Sequence, residues 1–388
     1  MKIYMGLKTV NKRWGFAAAL IVILLAGYWI YSSKDGGEEG SKDSVALPSK
    51  YGDTPQLTPH REQLQQFIDQ KLTGEAGIYT NYKETDEAAE TANGHETLSE
   101  SAGLLMRYYA LTGQREAFDA AWSRARETLA ADYGFSYRYS PLHDKKYTVN
   151  AVVDDLRIIR ALYEAETAFG NDGNYGREAA HYGGIVYEHN VQGDKLYDFY
   201  DGTYGTTNDS LTLCYADFRS IRLLEVPSKD KRALEDNLLT IVSGGYLSDK
   251  FPFYETRYDY KSGKYGDHEG EISTIESLLT VLSLAEIDQE RTASITYLKK
   301  AVEAGTLYGR YDRDGKPVTD VQSTAAYAIA AMIGSTIGDQ VLYRNSMERM
   351  EQYRVDDQAS PIAGSFGNPA TEEVYSFDNL TALLAYAY

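Results

Sequence analysis

Residues 98–131 read LSESAGLLMRYYALTGQREAFDAAWSRARETLAA. Apolar side chains recur three and four positions apart on both sides of Thr112-Gly113-Gln114, which is the period of a helix with one buried face. A short polar joint carrying a glycine between two such runs makes them antiparallel neighbours. Working outward, the same period continues along the chain. Helices are expected at about 59–72, 98–112, 114–131, 150–169, 173–190, 208–226, 228–246, 271–286, 288–305, 319–336, 338–354 and 373–388. Val226-Pro227-Ser228 and Glu286-Ile287-Asp288 are further tight joints. The segments 73–97, 132–149, 191–207, 247–270, 306–318 and 355–372 are instead long, aromatic and polar. This alternation predicts six helical hairpins closed into a toroid of two concentric rings. All the long connections then gather at one end, and long irregular loops usually carry function. A helical solenoid competes with this reading, but the pairs share no strict repeat.

Composition narrows the chemistry. The chain has 388 residues, with 39 basic and 57 acidic side chains and a net charge of −18. One cysteine excludes a disulfide framework and a cysteine-based metal site. The six histidines never stand four residues apart, which argues against a helical zinc motif. No metal or cofactor is called for. Acidity also argues against a nucleic-acid partner, because phosphates are bound through lysine and arginine. Tyrosine is abundant, at 34 residues against 11 Phe and 3 Trp. Its apolar ring and polar tip suit either half-buried packing or a cleft that stacks on something flat and polar.

The N-terminal end follows a different logic. Residues 1–13 form a basic tail, expected in the cytoplasm by the positive-inside rule. Residues 14–31, WGFAAALIVILLAGYWIY, carry no charge. As a helix they would span roughly 27 Å, so they read as a transmembrane signal anchor with aromatic ends. A cleaved signal peptide is the runner-up, with a poor cleavage site after Gly27. Residues 32–58 read as a flexible extracellular linker and 59–388 as the folded domain.

An acid-rich sequence without a metal signature leaves carboxylate chemistry, and glycoside hydrolysis needs two carboxyl groups flanking one bond. Glu100 opens a helix after a long loop. The plainer alternative is a first-turn glutamate beside a capping Ser99. Asp154 and Asp155 open another helix, and one of them should face inward; their alternative is a cap with an ion pair to Arg157 or Arg160. Tyr254, Glu255, Arg257, Tyr258 and Asp259, with Asp267 beyond, are composed like a sugar subsite. Tyr215 and Asp217, next to an apolar Cys214, either line the cleft or belong to the core. Asp312-x-Asp314-Gly315 starts like a calcium loop, but Ser323 stands where the closing glutamate should be, so it reads as a turn.

Residues 99–122 resemble the S-E-G-x-G-x-x-M segment of glycoside hydrolase family 8, and the following Gly, Arg, Phe-Asp and Trp keep their spacing. Residues 151–170 resemble that family's A-[ST]-D-[AG]-D-x-x-I-A helix. Family 126 glycosidases are a related possibility. The resemblance implies an (α/α)6 barrel after the N-terminal transmembrane helix, with Glu100 as general acid. It sets Asp155 on the second aspartate of the family helix. Val153 occupies the first, which in the family contacts the sugar, and Asp154 stands one residue away. The family's base lies in a Tyr-Asp-x-x-Arg context, for which Tyr258-Asp259 is the preferred match, with Glu255 and Asp267 behind it. The whole implies an extracellular, membrane-anchored, inverting endo-glycosidase that cleaves a secreted bacterial exopolysaccharide. Asp154 or Asp155 would hold the sugar. Tyr254, Tyr258, Arg257, Tyr215, Asp217 and Tyr147 would bind it, and exopolysaccharide synthase machinery would be a partner. The rival from another class is a non-catalytic glycan-binding subunit of a secretion system.

Overall fold

The computed structural model describes Val45, Pro48 and residues 51–388 apart from 86, 88 and 268. The expected membrane helix at 14–31 and the basic tail before it lie outside the described residues. No helix among the described residues is long and apolar enough to cross a membrane.

Twelve α-helices occur among the described residues. They are α1 (Thr58–Phe67, continued by a π-helical turn Ile68–Leu72), α2 (Ser99–Leu111), α3 (Arg115–Leu129), α4 (Val152–Phe169), α5 (Tyr175–Asn190) and α6 (Phe218–Leu223). After them come α7 (Ser228–Gly244), α8 (Thr274–Ala285), α9 (Thr292–Ala304), α10 (Thr324–Thr336), α11 (Gln340–Glu351) and α12 (Ser376–Ala385). The helices α2, α4, α6, α8, α10 and α12 each pack on the next, and α12 returns to α2. They form the inner ring, and burial follows from that position. Every residue of α10 from Thr324 to Ser335 is buried. The outer helix α3 buries only Phe118, Ala121, Trp122, Ala125 and Leu129, a single stripe. An apolar helix must be covered all round, whereas a striped one can face water.

The sixth pair joins the two ends of the described chain. Helix α1 packs on α12, the Tyr51 amide donates to the Tyr388 carbonyl, and the Tyr51 ring meets Tyr343 edge-on at 5.7 Å. His60 Nδ1 lies 2.8 Å from Glu351 Oε2. The expected flexible linker through residue 58 therefore ends earlier: Val45 is buried, and Tyr51 is docked on the ring.

Two expectations need correction. The helix read over 208–226 is helical only from Phe218. Residues Ser210–Thr212 pair with Arg257–Asp259 as a strand, and the Asp217 side chain caps α6 by accepting from the Ser220 amide at 3.0 Å. The fold is also not purely α, because the long loops carry short antiparallel sheets. These pairings run from loop to loop around the ring. Thr97–Leu98 pairs with Arg138–Ser140, Val149 bridges Asp201, and Ser210–Thr212 pairs with Arg257–Asp259. Glu271–Ser273 pairs with Arg310–Asp312, the Ser323 hydroxyl donates to Asp378, and Asn81 bridges Tyr375. Each loop leaves an outer helix and enters an inner one, so the loops form a second closed circle at the N-terminal ends of the inner helices.

A buried charge network spans the ring below that face. Arg107 of α2 donates to Glu164 of α4 at 3.0 Å from Nε and 2.8 Å from Nη2, and to the Tyr388 hydroxyl at 3.0 Å. Arg160 donates to Glu164 at 3.0 Å and, through both terminal nitrogens, to Glu286 at 2.8 and 2.6 Å. None of these four charged side chains is more than 9% exposed. Replacing Arg160 by Met takes the paired cation from buried Glu286 and leaves Glu164 with Arg107 alone. Removing one partner from a buried pair typically costs about 3–5 kcal/mol, and urea unfolding of Arg160→Met should show a loss of that order.

Candidate active site

The first turns of α2, α4 and α12 bring Glu100, Asp154 and Asp378 to the loop face. Leu98 enters α2 in an extended conformation, paired with Arg138. No side chain caps this helix, so Ser99 is not the cap considered from sequence. Its hydroxyl donates instead to Asp154 Oδ2 at 3.2 Å. Arg157 holds the other oxygen of Asp154 at 2.7 Å. Glu100 is half-buried. Burial and the neighbouring Asp154 carboxylate push its carboxyl up to about 7, Arg157 works against them, and Asp378 adds to the rise. Burial also raises Asp154, opposed by Arg157 and Ser99. Tyr215, from the turn Leu213–Tyr215, faces the same group: burial raises its hydroxyl, and the charges of Asp154 and Glu100 add to that. Glu100, Asp154 and Tyr215 are thus brought together as the sequence suggested.

Asp155 points elsewhere. It is fully buried, and its Oδ2 accepts from Asn150 at 2.9 Å and from the Phe135 amide at 3.4 Å. A Cβ on Gly134, whose φ is +119°, would meet that oxygen at 2.2 Å. Burial raises its carboxyl well above the usual range despite Asn150. Asp155 therefore ties the 132–149 loop to α4, away from the Glu100 cluster. Asp217 caps α6 and lies 3.9 Å from Arg160. Burial works to raise it, but Arg160 and Ser220 hold it below the usual value.

The 251–267 loop also departs from expectation. Asp259 Oδ1 accepts from the Ser262 amide at 2.7 Å, and this contact holds its carboxyl below the usual range. It shapes the tip of the hairpin formed by Arg257–Asp259 and Lys264–Gly266. The other two candidate bases are tied up by one residue that sequence reasoning missed. Arg313 pairs with Glu255 and, at 2.6 Å, with Asp267. Asp312 accepts from the amides of Asp314 and Lys316 at 3.0 and 2.8 Å, which is the turn read from the sequence.

The tyrosines divide in the same way. Tyr254 is buried against Tyr246. Tyr258 is half-buried among Tyr260 and Tyr265, whose hydroxyls donate to the Leu196 and Ile241 carbonyls, each at 2.7 Å. These rings fasten loops to helices. Arg257 is exposed on the hairpin strand. Tyr147 carries Arg138 and Lys145 over its ring at 4.5 and 4.3 Å, and lines a surface cleft with Tyr79 and His95.

Three further groups belong near the mouth. Asp198 is pushed up to about 6 by burial, although it accepts from Thr212 and Asn208. Asp378 shares the first-turn position that marked Glu100. Arg157, weighed beforehand only as an ion-pair partner, lies inside the cluster.

Glu100 imposes a pH dependence on stability. Its folded value lies above its ordinary 4.5, so between pH 4.5 and 7 the folded state holds the proton more tightly than the unfolded chain. Its contribution is full below that range and is lost as pH rises through 7. Melting curves should show the wild type losing ground to Glu100→Gln across that interval.

No family model matches the chain, and no curated protein matches it. Solved structures do. An α-amylase from Clostridium perfringens superposes with a TM-score of 0.78 at 29% identity, covering 84% of this chain and 97% of its own. PssZ from Listeria monocytogenes gives 0.64 at 20% identity, covering 84% and 94%. The endoglucanase Cel10 from Klebsiella pneumoniae, a family 8 glycosyl hydrolase, gives 0.60 at 17% identity, covering 84% and 98%. The ring of helical pairs described above is thus the fold of the family 8 glycoside hydrolases.

Proposed function

We propose that the chain is an inverting endo-glycosidase, held at the outer face of a membrane by residues 14–31 and acting on a secreted polysaccharide. The observation that carries this reading is Glu100, a carboxyl at the mouth of the ring whose proton is retained to about pH 7. A general acid must be protonated at working pH and able to release that proton. Asp154 is the carboxylate of the same cluster and holds the sugar at the bond that Glu100 protonates, while the base that takes the proton of the attacking water stands across the sugar from the acid. Asp259, the expectation from the family pattern, is the base on this reading, with Glu255 and Asp267 behind it. The similar solved structures include enzymes described as an amylase, an endoglucanase and a xylanase, which supports a polymer as substrate. The uncharged run 14–31 behind a basic tail supports the anchor, and the tether supports work beside a polysaccharide synthase.

Incubating the purified chain with bacterial exopolysaccharide and measuring new reducing ends tests the proposal. Glu100→Gln and Asp259→Asn should each lower the rate by about 10²–10⁴-fold, and Asp154→Asn should lower it through a lost hold on the sugar. Binding of the polymer without cleavage by the wild type would favour the non-catalytic glycan-binding subunit instead.

A further inference from the structure

The Arg157 side chain occupies an unusual place. It leaves α4 one turn below Asp154 and crosses to α2. Gly103 makes that crossing feasible, because a Cβ there would stand 3.1 Å from Arg157 Cγ and 3.2 Å from its Cβ. Gly103 itself lies one turn below Glu100. The guanidinium returns upward to Asp154 Oδ1 at 2.7 Å, and the residue is only 9% exposed. Arg157 therefore sits between the two helices that carry the cluster, with the stem against one and the charge on the other. It also borders the small pocket lined by Arg107, Arg160 and Glu286, so it connects the Glu100 cluster to the buried charge network.

We infer that Arg157 is a positioning residue of the cleft: lying across Gly103, it pins Asp154 as a carboxylate, so that Glu100 is the member of the pair that carries the proton. The inference rests on the proposed roles of Glu100 and Asp154. The physical ground is that two carboxyls that feel each other's charge compete for one proton, and a cation bonded to only one of them breaks the tie. The groups that face the pair are Ser99 from α2, Arg157 from α4, Tyr215 from the turn before α6, and Asp378 from α12. Deeper, around Cys214, the charges of Glu276 and Asp198 are felt together with that of Arg157. Arg157 is the cation that acts on both members: it works against the rise of Glu100 and, more directly, against that of Asp154. Its removal therefore raises both carboxyls.

The test reads the carboxyl directly. Infrared difference spectra of the full chain, taken as a function of pH and assigned by subtracting those of Glu100→Gln, give the titration midpoint of Glu100 whether or not any glycan is cleaved. In Arg157→Met the midpoint should move up by about one pH unit or more, and in Arg157→Lys it should stay near that of the wild type. Gly103→Ala, which displaces the arginine stem without removing the charge, should move it up by less and gives an answer if Arg157→Met does not fold. If the chain is an enzyme, the alkaline limb of its pH–rate profile, set by the acid Glu100, moves to higher pH in Arg157→Met. An unmoved midpoint in a folded Arg157→Met or Gly103→Ala variant overturns the inference. A moved midpoint in a chain that cleaves nothing overturns only the proposed activity.

Discussion

The ring depends on charges placed where charges are costly. Four buried side chains, Arg107, Arg160, Glu164 and Glu286, come from three of the six inner helices. Taking each out of water costs several kcal/mol, repaid only when every partner is in place. Apolar packing alone would let inner helices slide or rotate, because an all-round apolar surface has no preferred face. The paired charges have one. They fix the rotation of α2 and α4 about their axes, and with it the direction in which Glu100 and Asp154 point one or two turns above.

Seen this way, α4 is a ladder. Asp154, Arg157, Arg160 and Glu164 recur along it at helical spacing, and each bonds to a group on or beside another inner helix or to its neighbour on the ladder. The upper rungs serve the cleft and the lower ones hold the ring. Asp155, one position off the ladder, turns to the outer layer and binds the 132–149 loop. A shift of one residue on a helix rotates a side chain by about 100°, which separates a cleft carboxylate from a structural one.

The helices and their pairing were legible from the periodicity, because inner and outer helices differ in how far their apolar residues extend around the circumference. The short α6 was not. The stretch before it that was read as helix, Ser210–Thr212, pairs with a strand some forty-five residues later, and local pattern carries no trace of that partner. The place of Glu100 at the loop face was legible because it opens a helix after a long loop. The surroundings of Asp259 were less legible: its Tyr-Asp context is local, but the amide of Ser262, three residues on, bonds its side chain. The tyrosines misled in part. Their polar tips reach backbone carbonyls of neighbouring elements, a use that composition cannot separate from binding a sugar.

Closure by the first and last pair has a consequence for how the chain acquires its shape. Helix α2 needs α12 on one flank, and α1 needs α12 as its partner, so the first of the described helices to be synthesised wait for the last of them. Contacts this distant in sequence make closure a slow, late step. Until then the inner helices expose apolar surface and Arg107 lacks the Tyr388 hydroxyl. Such a chain has reason to stay in the care of a chaperone until its final helix arrives.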